Sequence, residues 1–121
     1  MTVAVWAGVV VIGGVGAVLR FLVDRAVSGR GAAVFPYGTL VVNVSGALAL
    51  GFLSGLALSP HLALLIGTAF VGSYTTFSTW MLETQRLGEE RQLWPAVANI
   101  VVSLVLGLAA AWLGMSIGAR V

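Results

Sequence analysis

The residues best suited to chemistry lie in one stretch, Gly72-Ser73-Tyr74-Thr75-Thr76-Phe77-Ser78-Thr79-Trp80, which puts six hydroxyl-bearing side chains within seven consecutive positions, 73–79. The stretch sits inside an apolar run. A helix that only packs has no use for so many hydroxyls. Ser and Thr bond back to the carbonyls of their own helix and bend it. Irregular backbone at membrane depth is tolerated only where it is buried in protein or lines a cavity. The pattern therefore predicts a helix break near Gly72–Thr76, whose freed carbonyls could hold a cation. Beyond it Phe77 and Trp80 fall on one face at i,i+3, either as a packing pair or as rings facing a path. Asn43, Asn99 and Ser103 each lie inside their own apolar run. A buried amide or hydroxyl needs a partner, so each bonds another helix or faces a wet path.

The charged residues number ten, six Arg and four acids, with no Lys. Arg20 and Asp24, at i,i+4, stand near the end of the first apolar run, where an Arg can snorkel and a neighbouring carboxylate can pair with it. Glu83 has Arg86 three residues on. It is either half of an interfacial pair or a polar group at the mouth of an ion path. His61, beside Pro60, is expected to be exposed at a helix start. Gly14-Val15-Gly16-Ala17-Val18-Leu19 begins like a dinucleotide fingerprint but lacks the third Gly and a preceding strand and turn. No P-loop, no Ser/His/Asp set and no His/Glu metal spacing occurs, and there is no Cys. The sequence gives no ground for enzyme activity.

These residues must be positioned by membrane-spanning elements. The chain has 121 residues, 60 % of them apolar and only 8 % charged, against about 25 % charged in soluble domains. Ten charges cannot build a soluble surface, and a disordered chain needs high charge and low hydrophobicity. Six scattered Arg are not a nucleic-acid footprint, and no polar stretch is long enough for a separate catalytic domain. What remains is an integral membrane protein in the lipid bilayer. Four apolar runs, roughly 3–27, 37–58, 61–85 and 93–117, each reach the ~20 residues needed to cross. They lack the alternation of a membrane β-barrel. No basic residue precedes the first run, so it is expected to remain as a helix. Pro36, Pro60 and Pro95 stand at or just inside the starts of runs two, three and four, where the missing N–H costs little. Small or polar residues recur every fourth position at Asn43, Ala47, Gly51 and Gly55 and at Asn99, Ser103, Gly107 and Ala111. Such stripes let helix backbones approach closely in lipid.

Three motifs in order resemble the Fluc (CrcB) family of fluoride channels. They are Gly13-Gly14-Val15-Gly16-Ala17-Val18-Leu19-Arg20, then Gly38-Thr39-Leu40-Val41-Val42-Asn43 with Gly46 and Gly51, then Gly67, Gly72 and Thr75-Thr76-Phe77-Ser78-Thr79 followed by Glu83. The resemblance spans nearly the whole chain. It implies four transmembrane helices, all α, in an antiparallel dimer with two pores, and passive, selective export of fluoride across the plasma (inner) membrane. It also implies a structural sodium ion at the dimer centre, held by backbone carbonyls that map onto Gly72 and Thr75. The family's aromatic pair maps onto Phe77 and Trp80, and its pore asparagine onto Asn43. Ser78, Thr79 and Glu83 map onto polar positions near the ion track, as does Ser103. Two positions depart from the family pattern: Trp80, where Phe is usual, and Asn99, where Tyr is often found.

The turns after runs one and three share a side and carry Arg25, Arg30, Arg86 and Arg91, while the other side has Arg120. Flanking Arg residues set orientation, so a single orientation with both termini outside is predicted. A chain so fixed would pair with an oppositely inserted homologue, whereas a tolerated bias would leave a homodimer with a second copy; the chain either conducts or serves as a non-conducting or one-pore subunit. A small multidrug-type proton/drug antiporter would share the four-helix size. It would need a membrane-embedded carboxylate in the first helix, and residues 3–19 contain no Asp or Glu.

Overall fold

The computed structural model describes residues 2–29 and 34–121. Arg30, part of the charge asymmetry, lies outside the described residues. Four helical segments are long and apolar enough to cross a membrane. They are α1 (Val3–Ser28), α2 (Tyr37–Gly55), a composite third span (Pro60–Glu89) and α6 (Leu93–Arg120). The third span is built from α3 (Pro60–Leu62), a π-helix (Ala63–Val71), α4 (Gly72–Tyr74) and α5 (Ser78–Glu89). The expected break is present between α4 and α5. It falls at Thr75–Phe77, slightly later than the sequence pattern placed it, and Thr75 is extended at φ −81°, ψ 162°. The fold is all-α and crosses the membrane several times.

Packing follows the rules of a lipid solvent. Most large apolar side chains point outward, among them Val10, Phe21, Leu108 and Trp112. Among the described residues, Leu87, Val42 and Asn99 are the largest side chains with less than 2 % of their surface exposed. Helices in lipid associate by close backbone contact rather than by hiding apolar surface from water. The tightest seam joins α2 to α6. A Cβ on Gly51 would run into the Ala111 carbonyl, and one on Gly114 or Gly118 into the carbonyls of Leu48 or Phe52. The lower halves of the two small-residue stripes therefore do pack. The upper halves differ: a Cβ on Gly107 would meet nothing within 4 Å, and Asn43, Ala47 and Gly107 line an open groove, while Asn99 and Ser103 are buried.

Helix ends are fixed locally. Thr2 caps α1 through its hydroxyl on the Val5 amide at 3.3 Å. α5 closes with Arg91 at φ 58°, its N–H on the Gly88 carbonyl and that of Gln92 on the Leu87 carbonyl at 2.8 Å. This is the paired bonding of a Schellman turn, and it returns the chain into α6.

Candidate functional site: an uncharged groove at the helix break

The break is held open by side chains from two other helices. Asn43 of α2 donates from Nδ2 to the Thr76 carbonyl at 2.8 Å and accepts the Thr76 N–H on Oδ1, also at 2.8 Å. One amide thus satisfies both polar groups of the peptide that leaves the helix. Gly46, one turn along α2, makes room for this contact, since a Cβ there would collide with the Thr75 side chain. Thr76 then starts the next helix: its Oγ1 accepts the Thr79 N–H at 3.2 Å, and the two hydroxyls meet at 3.1 Å. The Thr75 hydroxyl donates back to the Val71 carbonyl at 3.0 Å, as expected of a helix-bending threonine.

These bonds divert donors from the carbonyls of the break. In an unbroken helix the Thr76 N–H would serve Gly72 and the Thr79 N–H would serve Thr75. Here they go to Asn43 and to the Thr76 side chain. The Gly72 and Thr75 carbonyls are thus left without those two helical donors. The Ser73 carbonyl is reached by Arg20 Nε of α1 at 3.4 Å.

α2, the π-helix, the break and α6 enclose a groove of about 660 Å³. Asn43, Phe77, Trp80 and Ser103 line it together with Gly72 and Thr75, and none of its lining residues is charged. Phe77 and Trp80 meet edge to face, with ring centroids 5.8 Å apart and planes at 79°. Phe77 lines the groove and is 64 % exposed in all, more than a core packing pair would leave open. The Ser103 hydroxyl is buried with no hydrogen-bond partner. Asn99, one turn earlier on α6, is fully buried and faces α5 rather than the groove.

The remaining candidates lie elsewhere. Thr79 is engaged with Thr76, and Ser78 is exposed on the first turn of α5. Neither lines the groove. Glu83 borders a separate cavity of about 210 Å³, with Asp24, Ser28 and Arg86, near the end of the molecule that carries Arg25. Its Oε1 is buried without a partner.

Two ion pairs that the spacing allowed are not formed. Arg20 turns from Asp24 to the Ser73 carbonyl, which the break leaves without its usual helical donor, and Asp24 accepts the Ser28 hydroxyl at 3.3 Å. Arg86 pairs with Glu90 at 3.7 Å along the exposed face of α5, not with Glu83. The N-capping bond of Thr76 and the close approach at Gly46 were not foreseen from residue types. The spacing Thr76-x-x-Thr79 was the available signal for the first, since it has the form of a helix N-cap.

The sequence model of the family described as "CrcB-like protein, Camphor Resistance (CrcB)" matches residues 7–115. The chain belongs to the CrcB family. It is 71 % identical over 114 residues to a Mycobacterium tuberculosis protein named fluoride-specific ion channel FluC 2, covering 94 % of this chain and 90 % of that relative. A Mycolicibacterium paratuberculosis protein of the same name is 72 % identical over 116 residues, covering 96 % and 95 %. A more distant CrcB relative from Symbiobacterium thermophilum, named fluoride-specific ion channel FluC 1, is 43 % identical over 122 residues, covering 93 % and 96 %.

Proposed function

We propose that this chain is a passive, fluoride-selective channel of the plasma membrane that lowers cytoplasmic fluoride. The observation that carries the reading is the uncharged groove in which Asn43, Ser103, Phe77 and Trp80 converge on the helix break. Fluoride is small, strongly hydrated and a strong hydrogen-bond acceptor. A path for it must replace water with donors, and amide and hydroxyl groups can do so. Aromatic ring edges carry partial positive charge and can solvate an anion without trapping it. A fixed cation in the groove would hold fluoride more strongly and slow its exit. Ser78 and Thr79 on the first turn of α5, and Glu83 further along it, extend the proposed path toward the end bearing Arg25, Arg86 and Arg91.

The released carbonyls of Gly72 and Thr75 are hard oxygen donors, which suit a hard cation such as sodium. One chain offers two of them. A second subunit, inserted antiparallel across the groove, would double the set and complete a structural site. Such a subunit would also cover Gly107 and the exposed rim of Phe77. Expression in a bacterium deprived of its own fluoride exporter tests the function: growth on fluoride medium supports it, and growth no better than with an empty vector overturns it.

The Arg distribution favours a specific form of the dimer. Arg25, Arg86 and Arg91 flank one end of the bundle and Arg120 the other. A chain fixed in one orientation would pair with an oppositely inserted homologue and act as a one-pore or non-conducting partner. Reporter fusions at both termini test this. Signal from one side only supports a fixed orientation, and equal signal from both sides supports a dual-topology homodimer.

A further inference from the structure

Trp80 is tied to α6 in a way the groove alone does not require. Its indole Nε1–H donates to the backbone carbonyl of Asn99 at 2.9 Å. The Asn99 side chain answers from the same place, donating Nδ2 to the Thr84 hydroxyl at 2.8 Å and, at 3.4 Å, to the Trp80 carbonyl. Thr84 closes the circuit by donating its hydroxyl to the Trp80 carbonyl at 2.8 Å. Asn99 has no exposed surface. A helix carbonyl keeps a second lone pair after its own helical bond, so the indole can use the Asn99 carbonyl without breaking α6.

The consequence concerns what the groove offers an anion. A free indole N–H is a directional neutral donor and would stand beside the Phe77 ring. Here that donor is spent on a backbone group that cannot move unless α6 moves. What Trp80 has left to offer the groove it lines is carbon ring, held at 79° to Phe77. We infer that Trp80, Asn99 and Thr84 form a clasp that withdraws the indole N–H from the path and fixes the ring. In this clasp Asn99 is the positioning residue, and Trp80 contributes ring edges alone to fluoride. A weak, donor-free contact at this point favours release over trapping, as conduction demands. The functional half of the inference rests on the fluoride-channel reading; the clasp itself does not.

The test is magnetic resonance of the full chain in detergent micelles with ¹⁵N-labelled tryptophan. The chain has four Trp, and Trp80→Phe identifies the Trp80 indole signal by its loss. Titration with potassium fluoride, against potassium chloride as control, should leave that signal unmoved. A fluoride-dependent shift of the Trp80 N–H would overturn the inference. Asn99→Leu keeps the backbone carbonyl that accepts the indole but removes the side-chain bonds to Thr84 and Trp80 that hold the two together, so the same proton should exchange with solvent severalfold faster. Thr84→Val, a milder change, should move it in the same direction and keeps the test open if Asn99→Leu fails to fold. In vesicle efflux, Asn99→Leu should slow fluoride severalfold in the parent but have little effect when Trp80 is already Phe. Equal effects in both backgrounds would mean that Asn99 acts only as a packing residue. Wild-type vesicles without fluoride efflux, beside an unmoved indole signal, would overturn the channel reading and not the clasp. A shifted signal beside normal efflux would do the reverse.

Discussion

Asn43→Asp changes one atom type at the centre of the site, and its effect can be worked from the geometry. The parent amide meets the Thr76 carbonyl with its donor and the Thr76 N–H with its acceptor, both at 2.8 Å. Aspartate keeps the acceptor and the shape. It loses the donor and turns a bond into two facing oxygens. Leaving a buried carbonyl without a partner costs about 1–3 kcal/mol, enough to loosen the break but not to unfold four helices. The larger effect falls on the anion. Two like unit charges about 4 Å apart repel by about 4 kcal/mol at an effective dielectric constant of ~20. At 1.36 kcal/mol per tenfold in rate, that is roughly a thousandfold in flux. The assay is fluoride release from proteoliposomes, followed with a fluoride electrode, on protein whose detergent elution volume matches the parent. Flux within a few-fold of the parent would refute the placement of Asn43 on the path and leave it only a clamp on the break.

Phe77→Ile removes the ring edge on the groove while keeping apolar bulk. Fluoride efflux should fall by at least about tenfold in the same vesicles, since about 1.4 kcal/mol of lost stabilisation suffices for that, with elution volume unchanged. Trp80→Phe loses the bond to the Asn99 carbonyl and should lower stability by about 1 kcal/mol, read as a lower thermal midpoint in detergent. Gly114→Ala drives a methyl into the Leu48 carbonyl across the α2–α6 seam, and overpacking of this kind costs about 1–3 kcal/mol. Gly107→Ala, with nothing within 4 Å of the new methyl, should leave the thermal midpoint of the isolated subunit close to that of the parent. Equal losses for the two glycine variants would mean that the seam is not where the structure puts it.

Much of the fold can be read from composition because the solvent is lipid. Hydropathy alone finds the four spans, since a helix that must satisfy every backbone group internally needs an uninterrupted apolar run. The break is legible for the converse reason: hydroxyls crowded into an apolar run have no other use. Its partners are not legible. That Asn43 clamps Thr76, rather than merely facing a path, depends on where α2 crosses the third span, 33 residues away in sequence. The π-helix at Ala63–Val71 leaves no trace in residue types, because shifting the bond from i+4 to i+5 changes no side chain. Arg20 and Asp24 show how spacing misleads. An i,i+4 pair is favoured only when nothing better is near, and the break frees a carbonyl at Ser73 that takes the guanidinium. Asn99 was readable as a buried amide in need of a partner, but not as the residue beneath Trp80.

Conduction through an uncharged groove means that this chain should pass fluoride and hold back a larger halide. The most direct measurement is efflux from liposomes holding the purified chain, loaded with potassium fluoride and potassium chloride together. Valinomycin is added to release potassium, and both anions are recorded. Fluoride should be lost rapidly while chloride stays inside. Fluoride release no faster than from protein-free vesicles, or equal release of the two anions, would contradict it.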